Sequence, residues 1–324
     1  MNELIRMLAR ALVACMVWGG AAHAQWTPDH PVRLLVPFAP AASADTTFRT
    51  VSDKLATALG QPVVVDNRPG AGGVLGTQMG SKSPADGYTL IGGSDPPFTI
   101  NPHLQKVPYE PLKDFTPVSL LVEVPLFLVV RPGINASTVK ELIAAAKAQP
   151  GKLTIASSGN GSSGHLAAEL LMKRADINLL HVPYKGQAQA VMDVLGGRVD
   201  MTFSSLGPVQ EHIRAGKLKL LAISTSKRIP NMPNVPTVAE AGVPDFDIGV
   251  WIGLLYPAGT PAAAVQRVSA EIDKILQLPE VRAKFEDYGY VVVGGPPERL
   301  AQRINGDYAR FGKLIQDAKI TLGE

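Results

Sequence analysis

The chain has 324 residues, enough for two domains of about 150 residues each. It is 46% hydrophobic and 18% charged, as in a well-buried globular protein, and 31 Lys+Arg against 28 Asp+Glu leave a formal charge of +3. That balance, with no basic run and no interleaving of basic and aromatic residues, excludes a nucleic-acid partner.

The first 24 residues stand apart from the fold. Arg6 and Arg10 bracket the start of an apolar run, Ala11–Ala22, and Ala22-His23-Ala24 supplies small residues before Gln25. This is the layout of a signal peptide cleaved near Ala24/Gln25, and it predicts a periplasmic protein. Leu12-Val13-Ala14-Cys15 resembles a lipoprotein box, but too little apolar sequence precedes it and apolar sequence continues beyond it. Cys15 is the only cysteine, so the mature chain has no disulfide and no thiolate metal site. No later stretch is long and apolar enough to span a membrane.

Leu34-Leu35-Val36 reads as a short strand running into the small-residue loop Pro37–Asp45. Asp45 is the expected N-cap of a helix whose inner face is Phe48, Val51, Leu55 and Leu59, stopped by Gly60. Gln61–Asp66 reads as a second, buried parallel strand, Val74–Ser81 as a helix and Tyr88–Gly92 as a third strand. This alternation predicts a doubly wound α/β sheet. Two long apolar runs, Phe115–Val130 and Phe246–Tyr256, read as crossings to and from a second domain. Between them, strands at Leu153–Ala156, Leu179–Val182, Val199–Phe203 and Leu218–Thr225 alternate with helices. Those helices are expected from Ser137, His165, Gln187 and Val209, with a short one at Thr237–Ala241. Thr260–Leu276, Pro279–Tyr288 and Glu298–Asp317 complete the first domain. The predicted organisation is a signal peptide at 1–24, one lobe from 25–123 plus 250–324, a second lobe from 124–249, and two crossing strands as the hinge.

Enzyme signatures fail one by one. Gly70-Ala71-Gly72-Gly73-Val74-Leu75 has Leu where a dinucleotide fingerprint needs its third glycine, so it reads as a turn opening a helix. Gly161-x-Ser163-x-His165 lacks the closing glycine of a nucleophile elbow. An exported serine hydrolase using Ser162 or Ser163 with His165 is the competing reading. The histidines show no metal-ligand spacing, and neither a metal nor a cofactor is expected.

What persists is a set of strand-end loops rich in small residues, amides and hydroxyls: Pro37–Asp45, Gly93–Thr99, Ser157–Gly164, Pro183–Gly186 and Ser204–Gly207. Helix N-termini at such loops hold anions without a formal positive charge. The candidate ligand-binding residues are Phe38, Pro40, Ala41, Ala42, Ser43, Ala44 and Asp45; Ser94 and Asp95; Ser157, Ser158, Asn160, Ser162, Ser163 and His165; and Tyr184, Lys185, Phe203 and Ser204. Phe98 joins Phe38, Tyr184 and Phe203 as a candidate aromatic contact.

The motifs P-V-R-L-L-V-P-F-A-P (31–40), V-V-V-D-N-R-P-G-A-G-G (63–73), S-P-A-D-G-Y-T-L (83–90), H-V-P-Y-K-G (181–186), G-R-V-D-M (197–201) and V-P-T-V-A-E-A-G-V-P (235–244) run in order through the chain. On them the chain resembles the Bug-family substrate-binding proteins of tripartite tricarboxylate transporters. The resemblance implies a two-lobed α/β fold of the type II-like Venus flytrap kind. It implies a monomer that captures a small carboxylate between its lobes, performs no chemistry, and delivers the ligand to membrane permease subunits. A sensor partner in place of the permease would use the same fold. The family's two pincer loops correspond to Pro37–Asp45 and Ser157–His165. Where the family commonly has P-G-G, this chain has Pro40-Ala41-Ala42. Alanine adopts φ > 0 only at a cost and adds methyl groups to the pocket. A dicarboxylate with an apolar or aromatic body is therefore expected.

Overall fold

The computed structural model describes residues 26–322. The signal-peptide and lipoprotein-box readings, with Cys15, fall outside the described residues. Two mixed sheets organise the chain. The first runs, edge to edge, through β11 (Val291–Val292), β4 (Phe115–Pro125), β10 (Gly249–Pro257), β3 (Thr89–Ser94), β1 (Val32–Val36) and β2 (Val63–Asn67). The second runs through β7 (Leu180–Pro183), β6 (Thr154–Ser157), β8 (Met201–Ser204), β5 (Phe127–Val130) and β9 (Lys219–Ile223). In each sheet the βα-connected strands pair in parallel, β1 with β2 and β3, and β6 with β7 and β8. The long strands that carry the chain between lobes pair antiparallel.

The helices follow from apolar periodicity. In α1 (Ser43–Leu59), Phe48, Val51 and Leu55 face the first sheet and pack in one core with Val265, Val268 and Ile272 of α8 (Ala262–Leu276). Gly60 ends α1 at φ 71°, its N–H bonded to Ala56 O, as the sequence predicts. In the second lobe, α4 (Val139–Ala148) and α5 (Ser163–Ala175) pack into one core, while α6 (Gln187–Leu195) brings Ala190, Val191 and Val194 to another. The helices α2 (Val74–Ser81), α3 (Asn101–Leu104), α7 (Gln210–Arg214) and α9 (Pro279–Asp287) complete the layers.

Ser224 laces the two crossings together. Its N–H donates to Leu126 O at 2.8 Å, and the Ile248 N–H donates to its carbonyl at 2.9 Å. Its hydroxyl accepts from the Leu126 N–H at 2.9 Å and donates to Ile248 O.

Three expectations are corrected, and one helix reaches between the lobes. The N-cap of α1 is Ala42, with φ −66° and ψ 159°, and Asp45 lies inside the first turn. The strand β2 is an edge strand with Val64 53% exposed, because only β1 pairs with it. Thr237–Ala241 is a turn: Thr237 and Glu240 form a reciprocal capping pair, but Thr237 is held as a bridge to Ile223, and Gly242 and Pro244 follow at once. The remaining case is α10 (Pro297–Ala318), whose 22 residues span roughly 33 Å. Leu300 and Ile304 join a first-lobe core, whereas Phe311, Leu314 and Ile315 join a cluster made mostly of second-lobe residues together with Ile100 of the first. The end of α10 thus packs at the junction of the two lobes.

Candidate functional site

A cavity of about 620 Å³ opens between the lobes. The first lobe supplies Pro40, Ala41, Ala42, Ser43 and Thr46, together with Tyr288 and Tyr290. The second lobe supplies Gln187, Ala188, Ser205, Gly207 and Pro208. None of these residues carries a formal charge.

The loop after β1 is shaped by Asp45. Ala41 stands at φ +64°, the left-handed region that alanine enters reluctantly. Its N–H donates to Asp45 Oδ2 at 2.9 Å. Asp45 Oδ1 accepts from Asn67 Nδ2 at 2.8 Å, and Arg49 Nε lies 3.0 Å from both carboxylate oxygens. Burial alone would raise the Asp45 carboxyl, but the bonds from Arg49, Asn67 and Ala41 outweigh it and hold the group below the usual carboxylate range. Asp45 thus braces the loop from behind and leaves the cavity to Pro40–Ser43. Because the N-cap is an alanine, no side chain caps the first N–H groups of α1.

A second helix start faces the same space. The N-cap of α6 is Gly186, and again no side chain caps it. Gln187 and Ala188, its first two residues, line the cavity. Two helix N-termini, one per lobe, therefore present free donors and positive dipole ends to one uncharged cavity. Tyr290 reaches this region with its hydroxyl against Ser43 and Thr46; burial dominates and raises its pKa.

The loop Ser157–His165 has other partners. Ser163 Oγ donates across the lobes to Asp95 Oδ2 at 2.6 Å, and Ser94 Oγ donates to Oδ1 at 3.0 Å. Asp95 is fully buried, and burial pushes its carboxyl up to about 7 against these two hydroxyl bonds, with Asp307 adding to the rise and Arg303 opposing it. Ser162 caps α5 through the His165 N–H, and the Gly161 N–H donates to His165 Nδ1 at 3.2 Å. His165 stacks on His181 at 4.0 Å, and His181 Nε2 lies 2.7 Å from Ser157 Oγ. Burial, then the neighbouring His165, lowers the His181 pKa to about 4. Asn160 donates to Leu322 O. Ser163 and His165 thus have separate partners, so the hydrolase pairing does not form. Among the described residues, no cluster of three or more His, Cys, Asp or Glu could hold a metal.

The structure sorts the predicted residues clearly. Pro40, Ala41, Ala42 and Ser43 line the cavity, and Ala44 and Asp45 lie buried behind them. Phe38 is half-buried, and its carbonyl accepts from Asn67. Phe98 and Phe203 are core residues, packed on Phe115 at 4.9 Å and Phe246 at 5.7 Å. They are not cavity aromatics: Phe98 sits in the helical turn Pro96–Ile100 beyond β3 and Phe203 within β8, and both rings are fully buried. Tyr184 donates to Asp193 at 2.7 Å, and Ser204 is buried with its hydroxyl on Ser205 O. Ser158 is half-buried and Lys185 is exposed; neither lines the cavity. The aromatic lining comes instead from Tyr288 and Tyr290. Their only local signal is the aromatic–glycine–aromatic triplet after α9, far along the chain from the loops they face.

Comparisons with known proteins agree with this architecture. The family model described as the tripartite tricarboxylate transporter family receptor matches residues 47–320. The chain is 38% identical over 292 residues to BugT of Bordetella pertussis (strain Tohama I), covering 90% of each chain. A solved R. palustris protein with adipate superposes with a TM-score of 0.83 at 33% identity, covering 91% of this chain and 99% of the other. MatC from Rhodopseudomonas palustris, with bound malate, superposes with a TM-score of 0.78 at 32% identity, covering 89% and 99%.

Proposed function

The chain belongs to the tripartite tricarboxylate transporter receptor family, in its Bug branch, and from that membership we propose that its interlobe cavity captures a small dicarboxylate with an apolar or aromatic body for delivery to the transporter's membrane permease. It is a solute-binding protein of the periplasmic binding-protein class and not an enzyme. The observation that carries the ligand reading is the pair of helix starts, α1 and α6, that face the cavity with no side-chain cap. Each offers backbone N–H groups to an anionic end, and Ser43, Thr46, Ser205 and Gln187 add neutral polar groups beside them. A charged lining would bind the ion strongly but would resist releasing it to a second protein. Pro40, Ala41, Ala42, Ala188 and Pro208 leave the middle of the cavity apolar. The relatives seen with adipate and malate are consistent with this class.

In this reading the lobes close about the crossings at Leu126 and Ile248, with export by a signal peptide cleaved near Ala24/Gln25 and action as a monomer. The test is a thermal-shift and calorimetric screen of the processed chain with aliphatic dicarboxylates, benzoate-type acids and citrate. At a ligand concentration about a hundredfold above Kd, stability should rise by roughly 2.7 kcal/mol. No response to any of these acids would overturn the proposal, and tight binding of citrate alone would overturn the apolar body.

A further inference from the structure

We propose that Tyr288 and Tyr290 form an aromatic wall that makes the cavity prefer ligands with a flat unsaturated ring over saturated ligands of the same charge; this rests on the carboxylate reading above. Neither residue belongs to the two loops that the sequence marks out.

The segment is held from both sides. Gly289, between the tyrosines, has φ +74°, and a Cβ there would stand 2.6 Å from Leu206 Cδ2 of the second lobe. Glycine takes this left-handed turn without strain and leaves Leu206 its place. The turn brings both rings to the cavity and presses the segment against the opposite lobe. Tyr290 is almost fully buried, lies 6.3 Å from Phe285 at an interplanar angle of 25°, and has its hydroxyl against Ser43 and Thr46. It is thus anchored at ring and hydroxyl alike. Tyr288 is half-exposed, with its ring 5.5 Å from that of Tyr290 and tilted by 54°. A ring face backed by a fixed partner is a preorganised surface for stacking.

The surroundings suit a plate better than a chain. Ala41, Ala42, Ala188 and Pro208 add methyl and ring surfaces to the same uncharged cavity. A flexible chain gains area there but loses rotamer freedom on binding. A planar ring has only its aryl–carboxylate torsions to lose, and it adds face contact with Tyr288. Aromatic pairs of this kind are worth roughly two- to tenfold in affinity beyond area.

The test is calorimetry on the processed chain with phthalate, isophthalate and terephthalate, each beside its ring-saturated counterpart, and with adipate. The wild type should bind its best phthalate isomer at least about twofold, and up to about tenfold, more tightly than the saturated form. Tyr288→Leu, which keeps an apolar side chain but removes the ring face, should abolish that preference, so that each flat acid and its saturated counterpart bind alike. Tyr288→Phe should retain the preference. Ligand-free melting curves identify any variant that fails to fold, and the wild-type preference alone remains decisive in that case. Equal wild-type affinity for flat and saturated rings, or a preference that survives in Tyr288→Leu, overturns the wall. Binding of none of these acids overturns the carboxylate reading itself, and the wall with it.

Discussion

Asp45 Oδ2 accepts the N–H of Ala41 at 2.9 Å, and by this bond an aspartate in the first turn of α1 holds the preceding alanine at φ +64°. The loop keeps a glycine-like shape without a glycine. Its methyl then occupies space that a glycine would leave to the ligand.

Ala41→Gly should relieve the left-handed strain, worth about 1 kcal/mol, against a comparable gain in unfolded-state entropy. The expected outcome is a stability change within about 1 kcal/mol and a wider pocket, read as improved binding of bulkier acids. Asp45→Ala should cost about 1–3 kcal/mol, because the Ala41 N–H and Asn67 amide lose a charged acceptor. Urea denaturation measures both. An Asp45→Ala protein as stable as wild type would rule out the bracing role.

The Asp95–Ser163 bond joins the lobes through a buried carboxyl whose pKa stands near 7. The unfolded group would titrate near about 3.9, so the folded protein binds the proton more tightly between these values. Stability should therefore rise as pH falls from about 7 towards about 4 on this account, and should be lost as pH rises through the same window. Asp95→Asn should flatten that slope in melting temperature against pH. A slope unchanged in the variant would assign the effect to other groups.

Ser224 satisfies the buried Leu126 N–H and Ile248 carbonyl together. Ser224→Ala leaves both without this partner, at about 1–3 kcal/mol for an unmade buried bond. The crossings keep their two backbone bonds to residue 224 but lose the two made by its hydroxyl, and small-angle scattering should record a larger difference between ligand-free and ligand-bound forms. Identical stability and identical scattering would exclude the tie.

Arg303 on α10 bonds Glu123, donates to Asp307 Oδ2 at 2.7 Å and to Gly249 O at 3.1 Å. Replacing it with Met removes the cation from between the buried Asp307 and the half-buried Glu123, leaving Asp307 only Arg310 at 2.8 Å, and should destabilise by up to about 3 kcal/mol. Adding Asp307→Asn should recover part of the loss. A double variant no better than Arg303→Met would show that the acids do not repel through this gap.

Much of the fold was legible because it is local. Phe48, Val51, Leu55 and Gly60 specify α1 and its end within a few turns, and the alternation of strands and small-residue loops specifies the doubly wound sheets. Half of the cavity was legible for the same reason, since Pro40–Ser43 sit at a strand end. What escaped was non-local. Tyr288 and Tyr290 meet the first loop only because α9 packs under it, and no periodicity records that contact. Phe98 and Phe203 carried the right chemistry, but which way each ring turns is decided by Phe115 and Phe246 across the core. Asp45 was visible as a helix-start residue, but whether it caps or braces depends on Arg49 and Asn67 arriving together.

The C-terminal helix leaves the two ends of the described residues in different places. Trp26 packs on the first lobe's core, and Ile320 is buried in the cluster made mostly of second-lobe residues. Fluorophores attached beside Trp26 and Ile320 would ride on different parts of the molecule, so the distance between them would report the lobe closure proposed above.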